Sequence, residues 1–175
     1  MRSFTHSRSA RNCMSKSFVT ADLCDAHEAR LRSCPLQFRD FGALRHFCGV
    51  IHTVKCYDDN VLVRRTLETP GEGKVLVVDG AGYLGSALIG DQIALLAQQN
   101  GWAGVVINGA VRDVVALAGI GIGVKALGSN PRKSGKAGVG QVDVPVTLGG
   151  VTFHPGEWLY SDEDGLLVAT EKLQS

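Results

Sequence analysis

An α/β fold is what this sequence predicts, on three observations. Two short continuous apolar runs, Lys74–Asp79 and Gly104–Ile107, have the make-up of strands covered on both faces. Between them Ile93, Leu96 and Ala97 repeat on one stripe of a helix over Gln92–Gln99. The last third is a series of short β-branched runs separated by Gly149-Gly150 and Pro155-Gly156, the pattern of strands and turns. A chain of 175 residues, 45% hydrophobic, can bury one core and asks for no second domain.

Residues 1–16 are rich in Ser and Arg and contain no acid, which is the composition of an organellar transit peptide. The plainer reading is a disordered leader with Met14 as an alternative start, and a single domain over residues 17–175. Thr20 is expected to cap a short first helix, and Pro35 to end the segment after it. Cys48–Cys56 is β-branched and reads as a strand, with His52 and Cys56 on one face as ordinary sheet contents rather than a metal pair. Asp58-Asp59-Asn60 supplies a cap for a helix running through Leu67. After the Lys74–Asp79 strand, Gly80-Ala81-Gly82-Tyr83-Leu84-Gly85 has the look of a dinucleotide-binding loop. The strand-like Ala87-Leu88-Ile89 stands where that motif needs a helix, and the reading is set aside.

Gly90-Asp91-Gln92-Ile93 and Arg112-Asp113 carry the chemistry. Asp91 is suited to cap the Gln92–Gln99 helix, whose free first-turn amides attract an anion. The second buried strand is expected to end at Asn108-Gly109 and to deliver Arg112-Asp113 beyond its carboxyl end, where open α/β sheets bind ligands. A carboxylate there can hold a hard divalent cation with water filling the other positions, and Arg112 offers a planar fork for a substrate carboxylate. Ile122–Leu127 comes next as a strand, and Asn130–Gly138 as a mobile, solvated basic loop. Strands are expected over Val142–Leu148, Val151–Phe153, Glu157–Ser161 and Leu166–Thr170, the last two joined by the hairpin turn Asp162-Glu163-Asp164-Gly165.

The formal charge of +1 gives no electrostatic reason to bind nucleic acid directly. No apolar run approaches the roughly 20 residues that cross a bilayer. Five cysteines without CxxC spacing read as reduced thiols of a cytoplasmic protein rather than a disulfide framework or zinc site.

The runs Thr20–Asp25, Thr53–Cys56, Lys74–Gly80, Gly104–Asp113 and Gly149–Phe153 together resemble the RraA-like family. That family includes regulator of ribonuclease activity A and the class II 4-hydroxy-4-methyl-2-oxoglutarate aldolases. The resemblance covers Thr20 to Thr170 and implies a compact three-layer β/β/α swivelling-domain fold in a homotrimer, with a site near each subunit boundary. In the aldolase branch it implies that Asp113 ligates Mg2+ or Mn2+ directly and that Asp91 holds the ion's waters. It implies too that Arg112, with the amides of Gly90, Asp91, Gln92 and Ile93 at the helix start, grips pyruvate. Longer aldolases add a C-terminal glutamate that reaches a neighbouring subunit's site, and this chain has no residue to match it.

The same residues suit the chemistry on independent grounds. Cleaving a carbon–carbon bond beside a 2-keto acid, or decarboxylating oxaloacetate, leaves an enolate whose charge must be stabilised. A metal does this as a Lewis acid, and a water tuned by Asp91 is the available base. The covalent route needs a lysine of lowered pKa, and Lys55, Lys74 and Lys125 read as exposed. An Arg-Asp step is often a mere surface ion pair, and the alternative function is a non-catalytic regulator of a ribonuclease or its RNA helicase partner.

Overall fold

A computed structural model describes residues 18–174, so the leader read over residues 1–16 lies outside them. Helix α1 (Thr20–His27) and a 3-10 turn at Glu28–Arg30 lead into β1 (Leu31–Cys34), β2 (Arg39–Asp40) and the nine-residue β3 (Phe47–Lys55). The middle of the chain is α2 (Val61–Leu67), β4 (Val75–Asp79), β5 (Ala87–Ile89), α3 (Asp91–Gln99), β6 (Gly104–Val111), α4 (Val114–Leu117) and β7 (Gly123–Ser129). It ends in β8 (Gln141–Val142), β9 (Val146–Leu148), β10 (Val151–Phe153), β11 (Trp158–Asp162) and β12 (Gly165–Ala169).

Strand β3 is long enough to serve two sheets. Phe47–Val50 pairs antiparallel with β11, which continues to β12 and β1, whereas Ile51–Lys55 pairs parallel with β4, and then come β6 and β7. Alternate side chains of the parallel strands point to opposite faces. Leu76, Val78, Val105 and Ile107 meet Val63, Leu67, Ile93, Ala97 and Leu117 from the helices, while Val75, Val77 and Val106 meet Leu159 and Val168 from the other sheet and Leu148 and Phe153 from the separate β9–β10 hairpin. Helices, parallel sheet and antiparallel sheet are the three layers of the β/β/α fold. Leu23 of α1 packs with Tyr160, Leu167 and Leu173 on the outer face of the antiparallel sheet.

Several local expectations change. Strand β6 does not stop at Asn108-Gly109: its ladder shifts register between Ile107 and Ala110 and continues to Val111, paired with β5 on one side and β7 on the other. A bulge absorbs the irregularity that the glycine signalled. The expected Val142–Leu148 strand is broken into β8 and β9, because Asp143 takes a left-handed φ of 61° and Pro145 has no N–H to give a ladder. Thr20 does not cap α1; its hydroxyl donates to Asp162 Oδ1 at 2.6 Å and its N–H to Asp162 Oδ2 at 2.7 Å. A carboxylate from the end of β11 thus holds the start of α1, 142 residues away in the sequence. Cys24, Cys34 and Cys56 are free thiols.

Lys125 reverses another expectation. It is 1% exposed, on β7, with Nζ 3.0 Å from Asp40 Oδ1. That contact is an ion pair without hydrogen-bond alignment, since the same oxygen has no directional donor. Lys125 lies between Val124 and Ala126, which join the helix-side core, so its side chain belongs to the opposite face of the sheet. No helix among the described residues is long and apolar enough to cross a membrane.

Candidate functional site

Parallel strands β5 and β6 end side by side, with Ile89 paired to Val111. The residues after each strand therefore leave the sheet together: Gly90-Asp91 into helix α3, Arg112-Asp113 into helix α4. Arg112 N–H donates to Ile89 O at 3.0 Å, and Asp91 N–H donates to Asp113 Oδ2 at 3.3 Å. Arg112 Nε lies 3.7 Å from the same Asp113 oxygen. A side chain at position 90 would remove this arrangement, because a Cβ built on Gly90 collides with Asp113 Oδ2 and crowds the Arg112 side chain.

The helix start differs from expectation in one respect. Gly90 occupies the N-cap and Asp91 is the first helical residue, with Asp91 Oδ1 accepting only from its neighbour Gln92 N–H at 2.8 Å. The amides of Asp91 and Gln92 are thus taken, and Ile93 N–H is left as a first-turn donor with no partner among the described residues. Asp113 caps the four-residue α4 in a left-handed conformation, φ 56° and ψ 42°, uncommon for a residue with a side chain. It is the conformation that turns the carboxylate toward Gly90 and Arg112 while its carbonyl accepts from Leu117 N–H at 2.9 Å.

Two segments that the sequence did not assign to the site also reach it. A cavity of about 190 Å³ is lined by Gly90, Asp91, Gln92, Ile93, Arg112 and Asp113 on one side. Ala87 and Ile89 of β5, Asn60 and Arg64 of the α2 region, and Lys133, Ser134 and Lys136 of the basic loop complete the lining. The loop read as mobile and solvated is fastened at both ends. Ala87 N–H donates to Arg132 O at 2.8 Å, and Asp59 Oδ2 accepts from Gly138 N–H at 2.7 Å and Val139 N–H at 3.2 Å. Asp59 also accepts from Val61 N–H at 3.0 Å, so it, rather than Asn60, satisfies the first turn of α2. Burial raises the Asp59 pKa, but the backbone donors outweigh it and hold the carboxyl below its ordinary value. Asn60 is a strut: it donates to Leu88 O at 3.0 Å and accepts from Lys136 Nζ at 2.6 Å. The paired acids and Asn at 58–60 were the signal that could have tied this loop to the site.

Four cations and two carboxylates line the cavity, a formal surplus of two positive charges. The donor set suits a hard divalent cation that keeps several waters, because Asp113 Oδ1 and Asp91 Oδ2 have no partner among the described residues. No cluster of three or more His, Cys, Asp or Glu with metal-holding geometry exists among them. His52 and Cys56 do not form a second centre: burial lowers the His52 pKa, and burial with Asp59 and Asp79 pushes the Cys56 thiol up to about 12.

Known proteins share this architecture. Residues 20–168 match the RraA-like family model, described as Aldolase/RraA. A protein of Aromatoleum aromaticum, provisionally named a 4-hydroxy-4-methyl-2-oxoglutarate aldolase, is 54% identical over 89% of this chain and 98% of its own length. A solved structure from Thermus thermophilis, named the RNA-processing inhibitor RraA, superposes with a TM-score of 0.88 at 44% identity, over 91% of this chain and 97% of its own. Another, from Geobacillus kaustophilus, named S-adenosylmethionine: 2-dimethylmenaquinone methyltransferase, superposes with a TM-score of 0.86 at 46% identity, over 89% and 97%. With residues 20–168 matching the family model and with sequence and fold shared with these relatives over most of the chain, the protein belongs to the RraA-like family.

Proposed function

We propose that this protein is a divalent-metal-dependent class II aldolase that cleaves 4-hydroxy-4-methyl-2-oxoglutarate into two pyruvates and also decarboxylates oxaloacetate. The observation that carries the reading is the meeting of Arg112, Asp113 and the α3 start at one cavity wall, with two carboxylate oxygens left unpartnered. Arg112 presents a guanidinium fork to the 2-keto acid's carboxylate, and Ile93 N–H adds a neutral donor. Asp113 would hold Mg2+ or Mn2+ directly and Asp91 through water, and the ion would supply Lewis-acid stabilisation of enolate charge. Asp91 orients the water that takes the proton of the 4-hydroxyl. As that proton leaves, the C3–C4 bond breaks, its electron pair passes to C3 as the pyruvate enolate, C4 becomes the keto carbon of the second pyruvate, and return of the proton from the water to C3 completes the first.

A covalent lysine route has little support, since Lys125 is paired to Asp40 on the other face of the sheet and Lys133 and Lys136 are exposed, the latter bound to Asn60. A cavity with surplus positive charge is also a poor host for a sulfonium methyl donor. The similarity to an RNA-processing inhibitor supports the second reading, a non-catalytic regulator that binds and inhibits a ribonuclease or engages its RNA helicase partner. Purified protein should release pyruvate from 4-hydroxy-4-methyl-2-oxoglutarate only with a divalent metal, stop on chelation, resume with magnesium or manganese, and resist borohydride trapping. Tight binding of a ribonuclease without turnover of either substrate would replace the aldolase by the regulator.

We also propose a homotrimer with a site near each boundary between subunits. Val115, 93% exposed and two residues beyond Asp113 in the chain, is an apolar side chain that a neighbouring subunit would cover. Sedimentation equilibrium should give three chains per particle; a fully active monomer would end this proposal.

A further inference from the structure

The wall facing Arg112 is built for negative charge that a mono-acid cannot supply. One carboxylate on Arg112 leaves Arg64, Lys133 and Lys136 around the same cavity without a counter-ion from the substrate. The three are not equivalent. Lys136 Nζ is committed to Asn60 Oδ1 at 2.6 Å, and Asn60 is itself tied to Leu88 O, so this ammonium is fixed in place. Arg64 gives Nε to Glu68 Oε1 at 3.1 Å on the exposed side of α2, which leaves its terminal nitrogens for another acceptor. Lys133 has no side-chain partner among the described residues, and its backbone is set beside Ala87 by an isolated bridge at the start of β5. The neighbouring Ser134 is 6% exposed and also lines the cavity. A lysine in a free loop is ordinarily a solvated charge. This one stands on a loop anchored at Arg132, Gly138 and Val139.

We propose that Lys133 and Arg64 hold the distal carboxylate of a 2-keto dicarboxylic acid, and so make this cleft select dicarboxylates over pyruvate-like mono-acids. The inference deepens the aldolase reading and rests on it for the placement of the keto-acid end at Arg112. Lys136 contributes charge from its fixed position, and the selection is made by the two cations whose donors are open. In the aldol cleavage the distal carboxylate is not part of the bond that breaks, so for 4-hydroxy-4-methyl-2-oxoglutarate these residues act on binding and specificity.

The test is a pair of measurements on the full chain with Mg2+ present. Lys133→Gln, Arg64→Gln and the double variant should raise the KM for 4-hydroxy-4-methyl-2-oxoglutarate roughly tenfold to hundredfold, the size expected for losing charge-assisted hydrogen bonds, with a smaller change in kcat. Inhibition by pyruvate should be unchanged, and Lys133→Arg should restore most of the KM. Calorimetric binding of 2-oxoglutarate and of pyruvate reads the same point without turnover. Wild type should prefer 2-oxoglutarate, and the double variant should bind the two alike. If wild type binds with that preference yet turns over nothing, the aldolase reading fails and the dicarboxylate cradle stands. A double variant that keeps the preference, one that loses both ligands equally, or a wild type that shows no preference overturns the inference.

Discussion

Asp113→Ala is expected to lower kcat/KM for pyruvate release by about a thousandfold or more, since under the proposed reading it removes the residue that would hold the metal and, at about 1.4 kcal/mol per decade, several kcal/mol of enolate stabilisation. The fold should survive. Asp113 is partly exposed, its carbonyl rather than its carboxylate serves α4, and alanine removes only the 3.3 Å and 3.7 Å contacts to Asp91 N–H and Arg112 Nε. Arg112→Ala should differ in kind, raising KM as well as lowering kcat, because a carboxylate anchor acts in the ground state and the transition state alike. Steady-state kinetics across a magnesium or manganese titration separates the two: the Arg112 variant should still respond to metal and the Asp113 variant should not. Near-wild-type turnover in Asp113→Ala would remove the metal assignment.

The largest stability effect is expected at Asp162, far from the cavity. Its carboxylate is 3% exposed and accepts from Thr20 N–H, the Thr20 hydroxyl and Asp164 N–H at 3.0 Å, joining the start of α1 to the β11–β12 hairpin. Asp162→Ala should cost roughly 3–5 kcal/mol in chemical denaturation, since it strands three donors that folding has taken from water. Asp162→Asn should cost less. Burial pushes the Asp162 pKa up, but the Thr20 and Asp164 donors together with nearby His46 outweigh it and lower it from the ordinary 3.8. A carboxylate with a depressed folded-state pKa contributes stability that is complete above its unfolded value and is lost as pH falls below it. Denaturation midpoints of wild type should therefore decline below about pH 3.8, and Asp162→Asn should decline less steeply there. Asp59 and Glu163, whose pKa values are also lowered, keep the variant's acid limb from vanishing. Parallel pH profiles for the two proteins would show that the Asp162 charge is not what fastens α1.

The parts of this protein legible in its sequence are those whose physics is local. Continuous apolar runs named β4 and most of β6, one apolar stripe named α3, and Ala87-Leu88-Ile89 rightly argued against a dinucleotide loop, since it forms β5. Gly90, Asp91, Arg112 and Asp113 could be singled out because their chemistry stands at the ends of those elements. How far β6 runs was settled only in three dimensions, since a register shift depends on two neighbouring strands and not on Gly109. So were the service of Thr20 to Asp162 and the burial of Lys125 against Asp40. Above all, tertiary contacts brought Arg64 and the 133–136 loop to the cavity, through Asp59 and Asn60 bonds that span 76 to 80 residues. Propensity and periodicity report on neighbours a few positions apart. A charge such as that of Lys133 becomes solvated or functional according to which backbone donors and acceptors fasten its loop, and those partners are distant in the chain.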